Sequence, residues 1–264
     1  MLCFIIIFDR TGPGVQADSW NSEFTLRRLH PQSIASSGMS VVQDSMIEAG
    51  GIRRGPASKR RIALTFDACP STARGGYDYA IVRILLETQT PATFFLGGRW
   101  AKKHPGETRF LSQQAIFAIG SHGYGHKYLS RLEDSDIVAD LQASKRVLGQ
   151  LTGKRITLFR PPYAEADRRI AHIADSLGLI TIIYDVASGD PDSAITASRI
   201  IDYVSSRGRN GSIVIMHVNG RGWHTAEALP GLIARLQKKG FSFVTVPTLL
   251  GRDTSDVRRT HDHH

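Results

Sequence analysis

The sequence predicts an α/β fold on a mainly parallel sheet, closed into an incomplete barrel of about seven strands. Three observations carry this. Short apolar runs rich in β-branched and aromatic residues alternate with stretches of helical spacing from Arg61 to Thr248. No Pro/Ser-rich linker or charge block divides that span, so it reads as one catalytic domain. No Gly-rich phosphate loop follows a candidate strand, which disfavours an open doubly wound sheet.

The elements follow in order. Strands are expected at residues 62–66, 92–96, 116–120, 158–159, 179–184, 212–216 and 242–246, each short, apolar and bounded by turn signals. Helices are expected at 79–87, 137–151, 168–177, 195–206 and 226–239. In the second of these, Ile137, Leu141, Ser144, Val147, Leu148 and Leu151 share one face, with Ser135 or Asp136 as the cap. Asp78 suits the cap of the helix at 79. Gly178 and Gly240 stand where a helix ends in a left-handed residue before a new strand.

The termini differ from this span. Residues 1–58 are rich in Gly, Ser and Pro and end at the basic cluster Lys59-Arg60-Arg61, so they read as a largely disordered leader and linker. The barrel domain occupies 59–252, and 253–264 is a flexible tail. The apolar run at 2–8 is far too short to span a bilayer, which takes about 20 residues. It suits the core of a secretory signal, with Val15-Gln16-Ala17 as a small-residue cleavage site, so export to the periplasm or beyond is expected. A cytoplasmic location is the alternative, because no Lys or Arg precedes the run.

With 264 residues, 41% of them hydrophobic, the chain can bury one large core. Its formal charge of +9 favours anionic partners. Nucleic acid is not expected among them, because the basic pairs lie mainly in the ends and no aromatic residues interleave with them. Cys3 and Cys69 make no disulfide framework. Oligomeric state leaves no trace in the sequence.

The functional signal is positional. Asp67, His122, Arg160, Asp185 and His217 each fall at or just past the C-terminal end of an expected strand, the catalytic face of an α/β barrel. His122 and His126, four residues apart and flanked by glycines, can converge on one divalent cation. A Ser-His-Asp hydrolase is disfavoured, because the chain has no Gly-x-Ser-x-Gly elbow and no helix follows Ser188 directly.

Five segments in order give a family likeness: Thr65-Phe66-Asp67, His122-Gly-Tyr-Gly-His126, Arg160-Pro161-Pro162-Tyr163, Asp185 to Asp190, and Ile215-Met216-His217. The span from about Ile62 to Leu250 resembles the polysaccharide deacetylase family, the chitooligosaccharide-deacetylase-like domain of carbohydrate esterase family four. The resemblance implies a distorted (β/α) barrel that removes acetyl groups from N-acetylated sugars with one divalent metal, zinc or a zinc-like ion, on His122 and His126. It further implies Asp67 as general base, Arg160 as its orienter and His217 as the acid for the leaving amine. Asp190 would raise the basicity of His217, and the backbone around Tyr163 would serve the oxyanion. Pro161, Pro162, Tyr163 and Trp223 would then line the sugar.

Departures from the family pattern matter as well. A second Asp, itself a metal ligand, usually follows the first, and here that place is Ala68 followed by Cys69. A methyl group binds no cation, which leaves a metal on two histidines and water, on a borrowed Cys69 or Asp78, or absent. Gly123 replaces a usual Ser or Thr, and Pro191 a usual Trp, for which Trp223 offers a substitute face. The Thr-Phe-Asp-Ala-Cys motif and the run from His217 to Thr225 resemble a bacterial sub-group. Two alternatives stay open: an amidohydrolase of the same fold on a small non-sugar amide, and a metal-free, non-catalytic carbohydrate-binding relative.

Overall fold

Strand β1 (Arg61–Ala68) is buried along all but its first residue, which is why it reads as a nearly continuous apolar run. The computed structural model describes residues 50–70 and 76–252. Within them β1 lies inside a parallel sheet that curls into a half-barrel, in the order β5-β4-β3-β2-β1-β7-β6. Its members are β2 (Ala92–Leu96), β3 (Phe117–Ser121), β4 (Leu158–Phe159), β5 (Ile180–Thr181), β6 (Val186–Ala187) and β7 (Ile213–His217). A short β8 (Ser242–Phe243) pairs with the start of β1.

Alternation along β1 sorts its side chains between two apolar layers. Ile62, Leu64, Phe66 and Ala68 belong to the larger cluster, shared with the helices. Ala63 faces the barrel interior with Phe95, Leu158, Ile182 and Ile213, where Ile52, Val246 and Leu249 close the lower end. Continuing up that inner face come Thr65 and Asp67, both buried. The interior therefore grades from hydrocarbon to hydroxyl to carboxylate within five residues of one strand.

The expected strand at 179–184 divides in two. β5 pairs with β4, whereas β6 pairs with β7, at the opposite end of the sheet. Ile182 to Asp185 carry the chain across the gap. Ile52, from the segment expected to be linker, pairs in parallel with Ile182 and shares hydrogen bonds with Thr181 and Ile183. Residues 50–58 thus include a docked stretch, while the leader proper and the tail at 253–264 lie outside the described residues.

Helix α1 (Tyr79–Glu87) begins at Asp78, whose carboxylate accepts from the Ala80 and Ile81 amides. Two helices had no counterpart in the expectation: α2 (Gly98–Lys103) and α3 (Pro105–Gln113), which abut at His104. α4 (Asp134–Thr152) starts a turn earlier than expected, capped at Glu133 without a side-chain bond. That corrects the expected cap, since Ser135 and Asp136 sit inside its first turn. α5 (Arg168–Ser176), α6 (Ala197–Arg207) and α7 (Thr225–Lys238) match their expected stretches to within two residues. α8 (Val246–Leu249) takes the end of the last expected strand. Gly178 and Gly240 adopt positive φ, as their places required.

Candidate active site

Register brings the polar residues together. Asp67 on β1 is the direct partner of His217 on β7, and Ser121 on β3 is the partner of Phe159 on β4. The residues following that second pair are His122 and Arg160. All four side chains thereby rise at the C-terminal edge of neighbouring strands.

Arg160 is fully buried and organises the centre. Its Nη1 donates to Asp67 Oδ1 and to Thr65 Oγ1, both at 2.8 Å. Nη2 donates to the Ile183 carbonyl at 3.0 Å, and Nε points to that of Ile182 at 3.4 Å. The guanidinium lies over the Phe95 ring, 4.1 Å from its centroid. Burial pushes the Asp67 carboxyl up, but the charges of Arg160, His122 and His217 and the Arg160 hydrogen bond outweigh it, holding Asp67 below the usual carboxylate range.

The histidine pair sits beside this carboxylate. His122 Nδ1 is 2.9 Å from the Arg160 carbonyl, an acceptor only, so Nδ1 carries the proton and Nε2 keeps its lone pair. That Nε2 stands 3.6 Å from Asp67 Oδ2. The His126 ring meets the His122 ring edge-on, with centroids 5.0 Å apart. Burial lowers the pKa of both, that of His126 to about 4 with help from the charges of His122 and Arg221, so both are neutral.

The loop carrying them is braced by a residue that no sequence pattern singles out. Asp140, buried on α4, accepts from the Tyr124 amide at 2.6 Å and the Gly125 amide at 3.1 Å. Gly123 has φ +68°, and a Cβ there would stand 3.0 Å from Asp140 Oδ2. The departure from Ser or Thr at 123 thus has a steric reason in this chain.

His217 and Asp190 form the second half of the site. Asp190 is fully buried and takes hydrogen bonds from the His217 amide, His217 Nδ1, Ser188 Oγ and Thr225 Oγ1, at 2.7 to 2.9 Å. Burial lowers the His217 pKa, but the hydrogen bond and charge of Asp190, with Asp67 behind, more than reverse this and leave it raised. A Cβ on Gly222 would fall 2.3 Å from the His217 carbonyl oxygen, so the loop after β7 closes this tightly only with glycine there.

The remaining expected residues divide between the site and the rest of the fold. Asp185 is a correction: it precedes β6, and its carboxylate accepts from the Ile213 amide, Ser212 Oγ and Arg209 Nε at the entry end of β7. It sits at the opposite end of the strands from Asp67, because the chain crosses to a new strand there instead of ending one. Asp78 is engaged as a cap. His224 pairs with Glu227 in the first turn of α7. Pro161 and Pro162 are buried, with Pro162 packed toward Gly123, whereas Tyr163 is exposed with φ +59°. Tyr163 stacks on Tyr128, ring centroids 3.9 Å apart, and meets the His126 ring edge-on. Trp223 is half-buried, its amide donating to the Asp190 carbonyl.

Around Ala68 the geometry is equally specific. Ala68 is fully buried in the larger apolar cluster. Cys69 is a buried thiol whose pKa burial raises, and it accepts from Asn219 Nδ2 at 3.0 Å. Among the described residues, no group of three or more His, Cys, Asp or Glu is set to hold a metal ion. Arg221, which the sequence did not mark, is exposed in the loop after β7, and its charge partly offsets the rise at Cys69.

Comparison with known proteins agrees with this geometry. The family profile described as polysaccharide deacetylase matches residues 54–182. A peptidoglycan-N-acetylglucosamine deacetylase of Bacillus cereus is 28% identical over 208 residues, 78% of this chain and 73% of that protein. The crystal structure of a Bc1960 peptidoglycan N-acetylglucosamine deacetylase superposes with a TM-score of 0.72 at 26% identity, covering 77% of this chain and 94% of that one. A CE4 family pseudoenzyme from Bacillus anthracis superposes with a TM-score of 0.67 at 28% identity, covering 76% of this chain and 68% of its own. A mutant of that pseudoenzyme, described as having restored enzymatic activity, gives 0.68. The ordered motifs, the half-barrel and these relatives agree: over residues 54–182 this chain matches the polysaccharide deacetylase family.

Proposed function

We propose that this protein hydrolyses the acetamide of N-acetylated amino sugars, releasing acetate and leaving a free amine. The observation that carries the reading is the Asp67 carboxylate. One of its oxygens is bonded to Arg160, the other faces His122 Nε2 at 3.6 Å, and the His217–Asp190 pair stands on the adjoining strand.

The histidine pair fits a divalent cation in protonation: His122 presents a lone pair from a fixed tautomer, and His126 is neutral. The number of donors falls to two imidazoles with water, since position 68 offers none. His122 and His126 would hold the ion, with zinc the first expectation from their nitrogen chemistry. Such an ion, when bound, lowers the pKa of water toward about 7 and polarises a carbonyl.

The chain's own residues supply the rest. Asp67 Oδ2 takes a proton from the attacking water while Arg160 keeps Oδ1 occupied, so the base has one free oxygen and one orientation. His217 Nδ1 is committed to Asp190, which leaves Nε2 to deliver a proton to the departing nitrogen. The raised pKa of His217 keeps that proton available near neutrality. The turn at Tyr163, with backbone in the left-handed region, directs peptide groups to the oxyanion. A non-catalytic binding role is disfavoured, because sugar binding alone has no use for a base, its orienter and a paired acid.

Acetate release from N-acetylglucosamine oligomers tests this, measured as purified, after chelation and after zinc is restored. The expected result is loss on chelation and recovery with zinc, with kcat of Asp67→Asn down by about 100-fold or more. Full turnover by Asp67→Asn overturns the base assignment. Turnover only on small non-sugar amides moves the reading to an amidohydrolase.

A further inference from the structure

Tyr163 is held by two rings of the segment that carries the histidines. Its ring lies parallel to that of Tyr128, with centroids 3.9 Å apart and 2° between the planes, and it meets the His126 ring edge-on at 4.5 Å. Residues 126 and 128 thus grip one tyrosine from the neighbouring strand end. Two ring faces pressed together this closely repel through their quadrupoles. Arg131 counters the repulsion, because its guanidinium lies over the remaining face of Tyr128, 4.5 Å from the centroid.

The grip falls on a backbone that needs holding. Tyr163 and Ala164 have φ of +59° and +55°, a left-handed conformation that costs free energy in a residue with a side chain and persists only where its surroundings enforce it. Neither residue is buried, so the apolar core does not enforce it. The clamping segment is itself fixed. Leu129 roots the single 3₁₀ turn Leu129–Arg131 in the larger apolar cluster. Ser130 Oγ donates to Glu165 Oε2 at 2.6 Å, and Arg169 reaches back to the Ser130 and Leu132 carbonyls at 3.2 and 3.0 Å. These bonds join the chain after His126 to the chain after Arg160.

We propose that Tyr128, backed by Arg131, is a positioning residue for the deacetylation. It clamps the Tyr163 ring and so keeps the Tyr163–Ala164 turn, with the peptide groups assigned above to the oxyanion, in register with the His122–His126 pair. Both faces of Tyr128 are covered, one by Tyr163 and the other by Arg131, so the ring has no free face for a sugar and acts through the turn. The catalytic consequence rests on the deacetylase reading, whereas the clamp itself does not.

The test compares wild type with Tyr128→Phe, which keeps the stack, Tyr128→Leu, which keeps bulk without a flat face, and Arg131→Gln. Two readouts are taken: acetate release from the N-acetylglucosamine tetramer, and hydrogen exchange of the Ala164, Glu165 and Ala166 amides, which are bonded within the turn. Tyr128→Leu is expected to lower kcat by about 10- to 100-fold with KM within about threefold. It should also speed exchange of those amides by about 10-fold, while thermal unfolding shifts by no more than about 3 °C. Tyr128→Phe should match wild type in both readouts, and Arg131→Gln should move both in the direction of Tyr128→Leu by about threefold. Unchanged kcat in Tyr128→Leu, a loss carried by KM alone, or unchanged exchange overturns the proposal, as does a Tyr128→Phe variant as impaired as Tyr128→Leu. Should Tyr128→Leu not fold, Arg131→Gln, which keeps both rings, decides on the same readouts. If wild type releases no acetate, the deacetylase reading fails and exchange alone decides the clamp: faster exchange in the variants upholds it, and unchanged exchange sinks it.

Discussion

At the level of single residues, the proton traffic is set by neighbours. His217 gains its raised pKa chiefly from Asp190, against the opposing effect of burial. Because the acid must hold its proton, kcat/KM should fall as pH rises through a value above the ordinary 6.5. Replacing Asp190 by Asn removes the charge, so that alkaline limb should move to lower pH, and a pH–rate profile reads the shift directly. An unmoved limb would mean that His217 is not the acid. Asp67, His122, Arg160 and His217 were legible in the sequence because each stands where a strand ends, and strand ends follow from apolar runs. Asp185 passes the same test wrongly: the apolar run before it predicts one strand, whereas the chain there crosses the gap. Asp140 left no trace, since an acid on a helix has nothing in its spacing to show that it faces a loop.

Among the elements, the loop 122–126 owes its form to a helical residue sixteen positions on from Tyr124. Asp140 on α4 satisfies two amides of that loop from below, and nothing in the helical pattern distinguishes it from a solvent-facing acid. In Asp140→Asn one carboxylate oxygen becomes a donor facing an amide, a clash that costs about 1–3 kcal/mol. Thermal unfolding should register this. Titration with zinc should show affinity about 10- to 100-fold weaker, because the rings lose their support. Gly123→Ala should act in the same direction, since its Cβ meets Asp140 and its φ is left-handed. The longer amphipathic helices were legible from their apolar faces. α2 and α3 were not: the first starts at Gly97 without a side-chain cap, and α3 takes over at Pro105 within a turn. Short helices set end to end give too few turns for a face to declare itself.

Across the whole molecule, the parallel half-barrel was legible because β-α alternation leaves few alternatives, and its gap was not, because a missing pairing has no sequence signature. Arg160 spans that gap. Its guanidinium bonds the carbonyls of Ile182 and Ile183 on one side and Asp67 on the other, fully away from water. Arg160→Met should therefore destabilise the fold by about 3–5 kcal/mol in denaturant titrations, since it strands a buried carboxylate. The double variant Arg160→Met with Asp67→Asn should recover part of that loss, and no recovery would assign the cost to packing alone. The same side chain thus fastens the sheet and aims the base. A molecule wired this way has no slack state in which the half-barrel has opened but the chemistry survives. On heating, the curve of lost activity should overlie the curve of lost structure, without the early inactivation seen when a site rides on a loose loop.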